Sequence, residues 1–125
     1  MQGNEIIRLS QRAKEQLIWL KRQTGIMNWN VLCRWAFCLS LADPRPITDV
    51  DDAADSSVEM TWKTFGGNYH EVFWGLIKER VRKEGLKSIE SYGKLVRQHI
   101  HRGISQMVAA GGVRSILHLI QIETK

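Results

Sequence analysis

Between Trp29 and Leu41 the chain is apolar almost without a break, and only Asn30, Arg34 and Ser40 are polar. The run is too short for a membrane span, which takes about 20 apolar residues. It starts after Asn28, whose side-chain oxygen can cap a helix, and stops at Asp43-Pro44-Arg45-Pro46. Proline excludes helical geometry from the residue before it, so the spacing predicts a helix from Asn28 to Ala42. A helix without a polar face must be covered on every side. A chain of 125 residues forms one domain with few other elements to supply that cover. Part of it is therefore expected from another subunit, with Trp35 and Phe37 in the contact.

Upstream, Glu5-Ile6-Ile7-Arg8-Leu9-Ser10 alternates. This predicts a short strand with Ile7 and Leu9 on one side and Arg8 and Ser10 on the other. Ser10 is placed to cap a helix over Gln11 to Thr24. Gly25 is placed to end it, because only glycine enters the left-handed conformation there without steric cost. Ala13, Leu17 and Leu20 form the inward stripe. Lys14 and Lys21 line one flank, and Arg22 lies further round. Trp19 falls on the polar side beside Arg12 and is expected at a subunit contact. Strand, helix, Thr-Gly turn and second helix is the order found in ribbon-helix-helix DNA-binding proteins, so residues 1–42 read as a unit of that kind.

Residues 43–57 are polar and acidic and read as an exposed loop, followed by a second helical half over 58–125. Val58 to Trp62 alternates like a short strand. A third helix is predicted from Asn68 to Glu84, with Tyr69, Val72, Phe73, Leu76, Ile77 and Val81 in helical period and Gly85 closing it. A fourth is predicted from Ser88 to Ala110. Tyr92, Val96, Ile100, Gly103 and Met107 form its buried stripe, and Lys94, Arg97 and His101 form an exposed basic one. Residues 113–122 are strongly apolar and fit either a helix or a strand. The expected class is mainly α: a short N-terminal strand plus four to five helices in a single domain.

The net charge is +5, with an isoelectric point near 9.5, and it is unevenly spread. Residues 43–59 hold six of the thirteen acids and only Arg45 among the eighteen Lys and Arg. The rest has seventeen cations against seven acids, a net +10, which suits a polyanionic partner. Cys33 and Cys38 are five apart, so their side chains diverge along a helix and no disulfide is expected between them. Small core residues in a reducing cytoplasm fit them better.

No residue set here composes an active site. Gly66-Gly67 lacks the Walker spacing, and glycines that turn a strand into a helix explain it. The four histidines have no metal-ligand spacing. Asp49, Asp51, Asp52 and Asp55 lack the glycine and the closing glutamate of a calcium loop. The chain is expected to be no enzyme, with no cofactor and no metal. Met1 to Glu5 is polar with no long apolar stretch behind it, so no signal peptide is expected.

The cations remain as candidates. Arg8, Lys14, Lys21, Arg22, Lys63, Lys94, Arg97 and Arg102 are the expected DNA-binding residues. Lys and Arg bind the phosphate backbone by charge and counterion release, without regard to sequence. Base readout needs polar groups in a fixed array, and the strand presents only Ile6, Arg8 and Ser10. Backbone recognition is favoured over operator recognition.

With these elements in place, the chain resembles the DndE family of DNA sulfur modification proteins. The resemblance rests on Ile7-Arg8-Leu9-Ser10 with Ala13 and Leu17, on Thr24-Gly25-Ile26 and on Leu32-Cys33-Arg34-Trp35-Ala36. It continues through Trp62-Lys63-Thr64-Phe65-Gly66-Gly67 to His99-Ile100-His101-Arg102-Gly103-Ile104, spanning roughly residues 5–105. It implies an accessory protein of DNA phosphorothioation, where sulfur replaces a non-bridging phosphate oxygen. Partner proteins of that system supply the desulfurase, iron–sulfur and ATPase chemistry. It further implies a homo-oligomer, taken as a tetramer, that binds DNA with nicked duplex favoured. The alternative is a ribbon-helix-helix transcriptional regulator.

Overall fold

The computed structural model describes residues 5–47, 50, 52–85 and 92–111. They form β1 (Ile6–Arg8), α1 (Gln11–Thr24), α2 (Trp29–Ala42), β2 (Glu59–Thr61), α3 (Trp62–Gly66), α4 (His70–Lys83) and α5 (Tyr92–Ala109). A 3-10 turn over Gly67–Tyr69 leads into α4. The class is mainly helical, as the sequence predicts. The segment beyond Gly111 and the expected cap Ser88 lie outside the described residues.

The local signals at α1 act as anticipated. Ser10 Oγ accepts the Ala13 amide at 3.0 Å, and Gly25 closes the helix at φ 74°. Thr24 donates its hydroxyl to the Leu20 carbonyl and accepts the Ile26 amide, which fixes the turn into α2. Asn28 precedes α2 in extended conformation, but its side chain makes no capping bond.

β1 pairs antiparallel with β2, Ile6 opposite Thr61, Ile7 opposite Met60 and Arg8 opposite Glu59. The pairing puts Ile7 and Met60 on the core side and makes Arg8 and Glu59 a cross-strand ion pair.

The cover for α2 comes largely from its own subunit. α5 crosses it at Ala36 and Gly103, and a Cβ at Gly103 would stand 1.7 Å from the Ala36 carbonyl oxygen. Leu32, Cys33, Ala36 and Phe37 are all fully buried. Phe37 meets Phe65, Phe73 and His99 edge-on, with ring centroids 5.4, 5.8 and 6.1 Å away. This corrects the expectation for Phe37, which belongs to the core of one subunit. Long-range partners that helical period alone cannot place, α3 and α5, do the covering.

Two further differences concern which face of a helix turns inward. On α4, Ile77 and Val81 are buried, yet Val72 and Leu76 are 56% and 42% exposed, as is Tyr69 in the turn before it at 67%. The apolar arc of α4 is wider than its neighbours cover. On α5, Val96, Ile100, Gly103 and Met107 are buried as expected, but His101 is only 4% exposed. Its Nε2 accepts the Ser10 amide at 3.2 Å. His101 therefore ties α5 to the start of α1 and does not extend the basic stripe of Lys94 and Arg97.

Candidate nucleic-acid interface

The eight cations named from sequence divide into three groups. Arg102 has a structural task. It donates to the carbonyls of Ser40 and Arg45, each at 2.8 Å, and to Ser40 Oγ at 2.8 Å. Arg80 does the same from α4, reaching the Leu41 carbonyl at 2.9 Å and the carbonyls of Asp43 and Arg45. The last carbonyls of a helix have no partner within it and sit at the negative end of its dipole. Two guanidinium groups satisfy them here. Arg80 was not singled out from sequence, although its i,i+4 pairing with Glu84 was legible there.

The second group borders the acidic segment. Arg8 donates to the Ser56 carbonyl at 3.0 Å besides its pairing with Glu59. Lys14 Nζ lies 2.8 Å from Ser57 Oγ. Lys94 pairs with Asp52 at 3.3 Å, and Arg97 donates to the Asp52 carbonyl at 2.8 Å.

The third group lies on α1 and α3, the elements that adjoin the first turn of α2. Lys21 stands over the Trp29 ring, 3.5 Å from its centroid. Asn30, one residue on, faces the Thr64 carbonyl at 3.5 Å, which brings α3 and its exposed Lys63 alongside. Arg34, not among the eight cations expected to bind DNA, fastens the two helices by donating to the carbonyls of Thr64, at 3.1 Å, and Phe65. Arg22 is exposed at the end of α1. Among the described residues, no carboxylate lies within ion-pair distance of Lys21, Arg22 or Lys63. The amides of the α2 first turn, left without a side-chain cap, point out of the same end.

The buried polar centre of the α2–α5 contact is a stability element. Ser40 Oγ lies 2.8 Å from His99 Nδ1, and both residues are buried. Desolvation, aided by the cations Arg102 and Arg80, pulls the His99 pKa from 6.5 to about 3. The ring is thus neutral in the folded protein at neutral pH. A base whose folded pKa lies below its unfolded value holds the fold fully above the unfolded pKa. That stability is lost at about 1.4 kcal/mol per pH unit as pH falls from 6.5 toward 3. Asp43, held well below the carboxylate range by Arg45, adds a loss of the same sign at lower pH. The melting temperature is expected to fall steadily on acidification below 6.5, and His99→Gln to flatten that fall. A flat profile for the unaltered protein would contradict this.

The thiols fit the structural role expected of them. Cys33 is buried, which pushes its pKa up to about 12. Cys38 is half-buried in a shallow groove of about 260 Å³ lined by Val31, Arg34 and Trp35. No disulfide joins them. Trp35 is half-buried against the core along this groove, whereas Trp19 is 36% exposed beside Ile18. Among the described residues no group of three potential metal ligands forms, and no helix is long and apolar enough to cross a membrane.

No curated protein matches this chain. Among solved structures, the crystal structure of DndE from Escherichia coli B7A, involved in DNA phosphorothioation modification, is 21% identical. The alignment covers 85% of this chain and 99% of that one, with a TM-score of 0.68. A glycine-to-lysine double mutant of DndE, also described as involved in DNA phosphorothioation, is 18% identical. It covers 84% of this chain and 97% of its own, with a TM-score of 0.67. These structures share the fold described above. The model of the family described as DNA sulphur modification protein DndE matches residues 6–115, nearly the whole of the described fold, and the chain belongs to that family.

Proposed function

We propose that this chain is a non-catalytic DNA-binding accessory protein of the phosphorothioation machinery, which grips the duplex backbone and prefers nicked DNA. The observation that carries the reading is Lys21 over the Trp29 ring in the first turn of α2, with exposed Arg22 next to it in the chain and exposed Lys63 on the adjoining α3, and no carboxylate paired to any of the three among the described residues. Cations flanking a helix N-terminus suit a phosphate. Family membership supplies the context, since phosphorothioation acts on the DNA backbone itself. A nick lowers the cost of deforming a duplex, which favours a protein that reads backbone and shape. The other sulfur modification proteins are its partners and supply the chemistry, in the cytoplasm.

The regulator alternative has little support. A ribbon for the major groove needs an open strand, whereas β1 is paired in register with β2 of the same chain. Arg8, its one long polar residue, is tied to Glu59 and Ser56.

The reading includes a homo-oligomer, a tetramer, joined through the surface of α2 at Trp35 and through Trp19 on α1. Trp35→Arg is expected to lower the mass measured by light scattering while circular dichroism stays helical. Phe37→Ala is expected to cost about 3–5 kcal/mol and to act on folding instead. An unaltered protein that runs as a monomer would end the oligomer proposal.

Titration of intact, nicked and single-stranded DNA of one sequence tests the whole reading. Tightest binding is expected for the nicked duplex, with affinity falling steeply as salt rises. Binding that depends on sequence and not on the nick would favour the regulator.

A further inference from the structure

The acidic segment lies against cations that the sequence nominates for DNA. Asp52 pairs with Lys94 at 3.3 Å, and its carbonyl takes the Arg97 guanidinium at 2.8 Å. Asp55 Oδ1 accepts the Gln11 amide at 2.9 Å, the place at the start of α1 where the helix dipole favours an anion. Lys14 meets Ser57. A carboxylate on Lys94 and a carboxylate on a helix N-terminus are the contacts that DNA phosphates would make.

The two ends of this strap are held firmly. Ser56 is buried, its amide bonds to the Leu9 carbonyl at 3.1 Å, and Val58 accepts the Leu9 amide at 3.0 Å. At the other end, the nearly buried Gln98 donates to the Val50 carbonyl at 3.1 Å. Between them Asp52 and Asp55 are exposed. The Lys94–Asp52 pair is about half exposed on both sides, where an ion pair holds weakly and yields to competing ions.

We infer that residues 52–57 are an internal competitor for the DNA backbone, a strap whose carboxylates Asp52 and Asp55 occupy Lys94 and the α1 N-terminus until phosphates displace them. The inference rests on the DNA-backbone reading above. Its consequence is selectivity by charge density. An isolated phosphate or a weak polyanion leaves Asp52 and Asp55 in place, while a duplex, with its many phosphates, displaces the two carboxylates between the held ends and gains the contacts they occupied.

The test is a salt titration of duplex binding by the whole chain carrying Asp52→Asn and Asp55→Asn. Asparagine keeps the oxygen that accepts the Gln11 amide, so the local fold is retained. Asp52→Asn alone, which alters only an exposed pair, serves if the double variant unfolds. Neutralising two acids also raises the net charge, so Glu15→Gln with Glu71→Gln, both exposed and outside the strap, is the matched control. The strap variants are expected to bind several-fold tighter with the log–log salt slope unchanged, since Lys94 meets phosphate in both bound states once its carboxylate is displaced. The control is expected to tighten binding far less. Equal tightening by variant and control overturns the strap alone. If neither the unaltered protein nor the variant binds duplex at low salt, the DNA reading falls and the strap falls with it.

Discussion

Gly103→Leu is expected to leave no folded protein, and Gly103→Ala to be among the most damaging single-atom additions this chain can take. A Cβ at residue 103 would stand 1.7, 2.3 and 2.6 Å from the oxygen, carbonyl carbon and Cα of Ala36. All three atoms are helix backbone, so no side chain can rotate away. Relief requires α2 and α5 to separate, and that contact buries Leu32, Phe37, Ile100, Ile104 and Met107. Overpacking a core costs about 1–3 kcal/mol when neighbours adjust, and more when they cannot. Gly103→Ala belongs at or beyond the top of that range, a large share of the about 5–15 kcal/mol that holds a domain together. Gly75 supplies the contrast. It lies in α4 with nothing within 4 Å of an added Cβ, so Gly75→Ala is expected to stabilise by about 0.5–1 kcal/mol. Chemical denaturation of the two alanine variants decides the matter, and similar midpoints would show that the close crossing at Ala36 is wrong.

This crossing also marks where sequence reading stops. Gly103 was legible as part of the buried stripe of α5 because helical period reports which residues share a face. Period does not report what that face meets, so the near-contact with Ala36 and the aromatic packing around Phe37 could only emerge from tertiary structure. The same limit explains α2. Its missing polar face was read as partly covered by another subunit, with Trp35 and Phe37 in the contact, whereas α3 and α5 cover the Phe37 side and leave Trp35 and Val31 half-buried. Capping signals with a single local partner, such as Ser10 and Gly25, were read correctly, and Asn28, which makes no cap bond, was not. The cations were the hardest to sort. Nothing local distinguishes Arg102, spent on the carbonyls of Ser40 and Arg45, from Arg22, which has no ion pair among the described residues.

The largest functional effect is expected from Arg22→Glu combined with Lys63→Glu. Both side chains are exposed, and no described hydrogen bond or ion pair depends on either, so the fold should be untouched. Lys14 and Lys21 are less clean targets, since Lys14 holds Ser57 and Lys21 covers the Trp29 ring. Reversal replaces two attractions to phosphate by two repulsions around the first turn of α2. Binding should weaken on every sequence alike, because phosphate contacts carry no base information.

The central claim, that this member of the DndE family holds DNA by its backbone through the α2 end, is tested most directly by the salt dependence of that variant on nicked duplex. Each lost phosphate contact reduces the log–log slope by about 0.9, so the double reversal should lower it by about 1.8 relative to the unaltered protein. An unchanged slope and affinity in a variant with unchanged circular dichroism would contradict the account.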